Sequence, residues 1–81
     1  MRVKVRLFAR LRDIAGASEM DREVGPSATA QAVWNGLVAE KPTLAEYERA
    51  ISVAINTEYS RMGAVLADGD EVAFLPPVSG G

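Results

Sequence analysis

Between Ala30 and Val38 the apolar residues Ala30, Val33, Trp34, Leu37 and Val38 recur at i, i+3, i+4, i+7 and i+8, the stripe of an amphipathic helix with one face to bury. This is the main helix, and the segments around it alternate as strands do. Val3, Val5 and Leu7 alternate with Arg2, Lys4 and Arg6, so the odd positions face a core and Phe8 falls on the solvent side. Ile51, Val53 and Ile55 alternate with Ser52 and Ala54. From Glu71 to Leu75, Val72 and Phe74 share one face while Ala73 and Leu75 share the other. The helix must therefore lie across one face of a sheet.

The connections complete the order. Ala9 to Ala15 reads as a short helical or irregular link stopped by Gly16, and Glu19 to Val24 as a second, polar strand. Gly25-Pro26-Ser27 marks a turn, after which Ser27 or Thr29 caps the main helix. Pro42 ends that helix. Thr43 with Glu46 three residues on predicts a capping box for a second short helix that holds Leu44 and Tyr47. Asn56 and Thr57 suit a turn into a short segment around Tyr59, and Asp68-Gly69-Asp70 suits another into the closing strand. Strand, polar strand, helix, short helix, strand, short strand and strand describe an α+β roll: a mixed sheet on one main helix, the shape called a β-grasp.

With 81 residues this is one domain, whose thin core has no room for a deep cleft. The chain has no Cys and no His, which removes disulfides, zinc sites, a thiol nucleophile and an imidazole base. No calcium-loop spacing is present, so no metal is expected. The Asp68 and Asp70 pair reads as a turn, Glu46 and Glu48 as a cap and a solvated face, and Trp34 as core. Met1 to Phe8 alternate apolar and basic residues, which predicts neither a signal peptide nor a membrane span, and cytoplasmic location follows by default. Arg2, Lys4, Arg6, Arg10 and Arg12 crowd the start, but the chain is acidic overall at −2 and poor in aromatics, so no nucleic-acid partner is expected. A solvated strand face accounts for them.

Pro76-Pro77 must end the last strand, dividing the chain into a domain over 1–75 and a tail over 76–81. The diproline favours stiff polyproline II, while Gly80 and Gly81 add no side-chain bulk. Six extended residues reach about 20 Å, enough for a thin, flexible filament to enter a narrow channel in a partner. Its chemical group is the carboxylate of Gly81, which is a poor electrophile until activated, most simply by ATP to an acyl-adenylate. Sulfur would turn that anhydride into a thiocarboxylate, and an amine would turn it into an isopeptide. This chain has no nucleotide-binding glycine loop and no thiol, so partners must do both steps.

The run Leu66-Ala67-Asp68-Gly69-Asp70-Glu71-Val72-Ala73-Phe74-Leu75-Pro76-Pro77-Val78-Ser79-Gly80-Gly81 resembles the C-terminal signature of the small, sulfur-carrying subunits of molybdopterin synthase. Val3-Lys4-Val5-Arg6-Leu7-Phe8-Ala9, Leu11-Arg12-Asp13 and Val53-Ala54-Ile55-Asn56 resemble that family too. The resemblance implies a ubiquitin-like β-grasp that binds no cofactor of its own. It also implies that Gly81 is adenylated by a ubiquitin-activating-like adenylyltransferase using ATP and charged from a sulfur donor protein. Pro76, Pro77, Val78, Ser79 and Gly80 would insert into the large subunit, where sulfur passes to cyclic pyranopterin monophosphate within a heterotetramer. Family interface positions match Phe8, Arg12, Tyr59 and Leu75, of which Phe8 and Leu75 also lie on the non-core parity of their strands. Tyr59 and Leu75 depart in size or polarity from the family pattern. A carrier for thiamine synthesis or tRNA thiolation, and a non-covalent binding module, are the competing readings.

Overall fold

The computed structural model describes residues 1–77. Its elements are β1 (Arg2–Leu7), α1 (Ala9–Ala15), β2 (Glu19–Glu23), α2 (Ala30–Glu40), a 3-10 helix (Pro42–Tyr47), β3 (Ser52–Ile55), β4 (Glu58–Tyr59) and β5 (Glu71–Leu75). They form one five-stranded sheet in the order β2-β1-β5-β3-β4. β1 and β5 run parallel at its centre, and every other pairing is antiparallel. A parallel pair needs a long crossover, and here the crossover carries α2 over one sheet face. The sheet is mixed and rests on one main helix, as the order of elements predicts.

Hydrophobic alternation sets which face is covered. Val3, Val5 and Leu7 on β1, Val53 on β3, and Val72 and Phe74 on β5 are buried against Ala30, Val33, Trp34 and Leu37 of α2. Leu11 of α1 and Leu44 of the 3-10 helix complete this core, and their two elements pack against each other. Trp34 sits at its middle with no exposed surface, its ring 5.1 Å from that of Phe74 and tilted by 53°. Its indole N–H donates to Glu48 Oε1 at 3.0 Å, so the one polar atom of the ring reaches the protein edge.

The boundaries follow local chemistry. Gly16, at φ 83°, ends α1 in the left-handed conformation that glycine adopts without strain. Of the two candidate caps for α2, Thr29 is the one used: its Oγ1 accepts from Ala32 N–H at 3.2 Å. Ser27 instead lies in the preceding turn at φ 66°. The capping box does not form. Thr43 lies inside the 3-10 helix, which starts at Pro42 with no side-chain cap, because proline presets the first helical φ and has no N–H to satisfy. Glu46 is consequently no cap, and Glu48 is the partner of Trp34 instead of part of a purely solvated face. Ile51 precedes β3 and is half-buried beside the core. At the far edge Arg22 of β2 forks onto Glu40 at the end of α2, tying the polar strand to the helix it does not cover. That contact raises the Arg22 pKa and lowers that of Glu40.

β3 and β4 meet through the two-residue turn Asn56-Thr57, with both residues at positive φ, 51° and 71°. This is the twist a tight hairpin demands. Asn tolerates it, whereas a β-branched residue in the left-handed region is strained. Thr57→Gly is therefore expected to stabilise the domain by about 0.5–1 kcal/mol, strain relief outweighing the added freedom of the unfolded chain. Urea unfolding checks it: the midpoint should rise with an unchanged slope.

Candidate docking face

The sheet face opposite α2 is built by the residues of opposite parity. β1 contributes Arg6 and leads into Phe8, β5 contributes Glu71, Ala73 and Leu75, β3 contributes Ser52 and Ala54, and β4 contributes Tyr59. Pairing places Ala73 beside Ala54, Ala54 beside Tyr59, and Ser52 beside Leu75. Two registered alanines leave a floor with no side-chain height. Phe8, Tyr59 and Leu75 stand around it as walls, so an open hollow of about 210 Å³ lies over Ala54 and Ala73. These two alanines are buried although they lie on the uncovered face.

A wider groove of about 620 Å³ adjoins the hollow, running past Phe8, Tyr47, Tyr59 and Leu75 to Pro76 and Pro77. Tyr59 is 79% exposed, a large ring with little cover of its own. Phe8, Tyr59, Leu75, Pro76 and Pro77 are thus brought together on one surface. Arg12 is not with them: it is exposed on α1, beside Asp13 at 3.8 Å, and lines neither concavity. Arg10 is the α1 cation that reaches the groove. Val78, Ser79, Gly80 and Gly81 lie outside the described residues.

Sequence reasoning missed the alanine floor and the place of Arg6 on its rim. Ala73 shares its parity with Leu75, and Arg6 with Phe8, which is the available local signal; the pairing of Ala54 with Ala73 comes from strand register. Charge on the rest of this face is cross-strand pairing: Arg2 sits 3.1 Å from Glu23, and Lys4 3.5 Å from Glu19. Such exposed pairs contribute little to stability, but they match the basic start of the chain to the acids of β2. The solvated-face reading fits Arg2 and Lys4, whereas Arg6 and Arg10 line the concavities.

The Asp68 and Asp70 carboxylates belong to the turn before β5. Asp68 Oδ1 accepts from Arg2 N–H at 2.7 Å, and Asp70 Oδ2 accepts from Ala67 N–H at 2.8 Å. Asn56 joins the two turns, donating through Nδ2 to Asp70 Oδ1 at 2.9 Å and accepting from Glu71 N–H at 3.0 Å. No group of acidic side chains that could hold a metal occurs among the described residues. The Ala67 N–H, and after it the Asn56 amide, hold the Asp70 carboxyl below its ordinary value of 3.8. A lowered folded-state pKa means that this contribution is fully present above 3.8 and is lost as pH falls through the folded value. Acid unfolding of the parent should therefore steepen below pH ~4, and Asp70→Asn should flatten that limb when urea midpoints are compared across pH.

A mixed sheet gripping one helix, with an apolar hollow on its free face beside the exit of the last strand, defines a ubiquitin-like β-grasp domain. The chain belongs to the ThiS family, which it matches over residues 5–81. It is 39% identical over 83 residues to the molybdopterin synthase sulfur carrier subunit of Chlamydomonas reinhardtii, covering 100% of both chains. Among solved structures it is similar to SAMP1, small archaeal modifier protein 1, from Haloferax volcanii, with a TM-score of 0.84 at 33% identity over 100% of both chains. It is also similar to a chain in the complex of subunits 1 and 2 of molybdopterin-converting factor from Helicobacter pylori, with a TM-score of 0.69 at 26% identity and 100% coverage of both chains. Among the described residues no helix is long and apolar enough to cross a membrane.

Proposed function

We propose that this chain is the sulfur carrier of molybdopterin synthesis, with Gly81 as its working residue. The observation that carries the reading is the end-to-end similarity to a sulfur carrier subunit, together with this chain's own D-G-D-E-V-A-F-x-P-P-V-x-G-G run. The Gly81 carboxylate attacks the α-phosphorus of ATP on a ubiquitin-activating-like adenylyltransferase, expelling pyrophosphate. A sulfide equivalent from a sulfur donor protein then displaces AMP and leaves the thiocarboxylate. The chain itself binds no cofactor. Its tail, Pro76 to Gly80, enters the large subunit of molybdopterin synthase and offers the sulfur to cyclic pyranopterin monophosphate, water restoring the carboxylate. Phe8, Tyr59 and Leu75 dock, Arg12 adds a contact from α1, and two carriers on a large-subunit dimer make a heterotetramer in the cytoplasm.

The same activated end also serves a second reading, favoured by the similarity to small archaeal modifier protein 1: attachment to an amine, with release of AMP. Delivery of sulfur to a thiazole precursor or to tRNA uses the same charged form.

Intact mass tests the shared step. With the adenylyltransferase, ATP and a sulfur donor, the protein should exchange one oxygen for sulfur. Met1, Met20 and Met62 can oxidise with nearly the same change in mass, so a thiol alkylator is added. In a chain without cysteine the thiol-type adduct reports the thiocarboxylate. Molybdopterin formation with the large subunit then supports the first reading, and a lysine adduct without it supports the second. Absence of both adenylate and sulfur adduct removes the carrier reading.

A further inference from the structure

We infer that Arg6 is a carboxylate receptor built into the docking face, so that the partner receiving the tail presents an apolar side chain flanked by an Asp or Glu. The inference rests on the proposed function and adds a specificity-determining residue to it. The apolar side chain seats over Ala54 and Ala73, and Arg6 lines the same hollow.

Among the cations of β1, Arg2 and Lys4 each have a carboxylate within 3.5 Å. Arg6 has none so close. Its registered neighbour on β2 is Glu19, but the Glu19 carboxylate is engaged by Lys4. Across the sheet Glu71 Oε1 stands 4.0 Å from Arg6 Nη1, beyond hydrogen-bond reach. Arg6 Nε is covered from solvent and has no acceptor among the described residues. The Arg6 guanidinium therefore has no carboxylate within hydrogen-bond reach, and its terminal nitrogens are left to take one from a partner.

The head group is also held in place. Its Cζ lies 5.2 Å from the centroid of the Phe8 ring, so the planar guanidinium is fixed over one wall of the hollow. The side chain keeps 42% of its surface exposed, and with Nε covered a carboxylate approaches the terminal nitrogens. Such a fork fits a carboxylate bidentately, which a lysine at the same place does not. An apolar hollow with a loosely paired guanidinium on its rim selects a complementary surface, and the groove that continues to Pro76 and Pro77 makes that surface the one which also takes the tail.

The test is calorimetric titration of the full chain into the purified large subunit of molybdopterin synthase from the same organism, at low salt and at about 0.5 M NaCl. Arg6→Gln should bind about tenfold to a hundredfold more weakly and lose most of the salt dependence, while melting like the parent. Arg6→Lys should fall between, since it keeps charge and loses the fork. One Asp or Glu of the large subunit, replaced by its amide, should weaken the parent and leave Arg6→Gln unchanged, the sign of a direct pair. Parent binding with Arg6→Gln equally tight and equally salt-sensitive overturns the inference and leaves the carrier function standing. Failure of the parent itself to bind overturns both.

Discussion

A chain lacking Gly81 is expected to fold and melt as the parent does, and to transfer no sulfur. Among the described residues the core runs from Val3 to Phe74 and already joins the sheet to α2, so removal of the last residue is expected to leave the fold intact. The chemistry is different. The deleted chain still ends in a carboxylate, now on Gly80, but that group sits one residue short, about 3.5 Å from where the parent's would reach. Misplacement of a reacting atom by about 1 Å can cost a hundredfold in rate, so a shift of this size leaves no measurable transfer. Gly81→Ala tests steric fit at unchanged reach: its methyl group must pass wherever the tail is threaded, and sulfur transfer should fall by at least tenfold. Molybdopterin formation with the large subunit reads both variants, with thermal melting as the folding control. Transfer at the parent's rate by the deleted chain would show that the working group lies elsewhere.

The largest expected effect on stability is that of Trp34→Ala. This ring is fully buried, contacts Phe74 across the helix–sheet interface, and satisfies its N–H through Glu48. Truncating such a side chain costs about 3–5 kcal/mol, the lost transfer energy being joined by the cavity left behind. Small domains stand near the lower end of the usual ~5–15 kcal/mol, so the variant should be largely unfolded or close to it at 37 °C. Trp34→Phe refills part of the space and should cost about 1–2 kcal/mol. Glu48→Gln keeps an acceptor for the indole and should change stability little. Urea unfolding followed by circular dichroism separates these; parental stability in Trp34→Ala would mean that the ring is not at the centre of the core.

The fold was legible because its signals are local. Alternation around Val3, Val5 and Leu7 and the stripe through Trp34 each state which side is buried, and Pro76 states where the sheet must stop. Caps were half legible: Thr29 was one of two candidates, while Thr43 and Glu46 imitate a capping box that Pro42 makes unnecessary. The partner of Trp34 was invisible, since Glu48 is reached only after the chain reverses through the 3-10 helix. On the docking face, Phe8 and Leu75 announce themselves by parity and size. The hollow does not, because it arises where Ala54 meets Ala73 across β3 and β5, and small residues leave no mark in a hydrophobic pattern.

The place of β5 has a consequence for biosynthesis. Among the described residues it is the last strand in the chain, yet it occupies the middle of the sheet, between β1 and β3. A chain cut anywhere before it lacks Val72 and Phe74 and has two half-sheets with no strand to join them. Closure is therefore a late, long-range event, since β5 must meet a β1 that lies far back in the chain. A chain cut before β5 therefore lacks Ala73 and Leu75 as well, and with them the hollow on the free face of the sheet. Strand order thus makes the docking face depend on the same late pairing that completes the core.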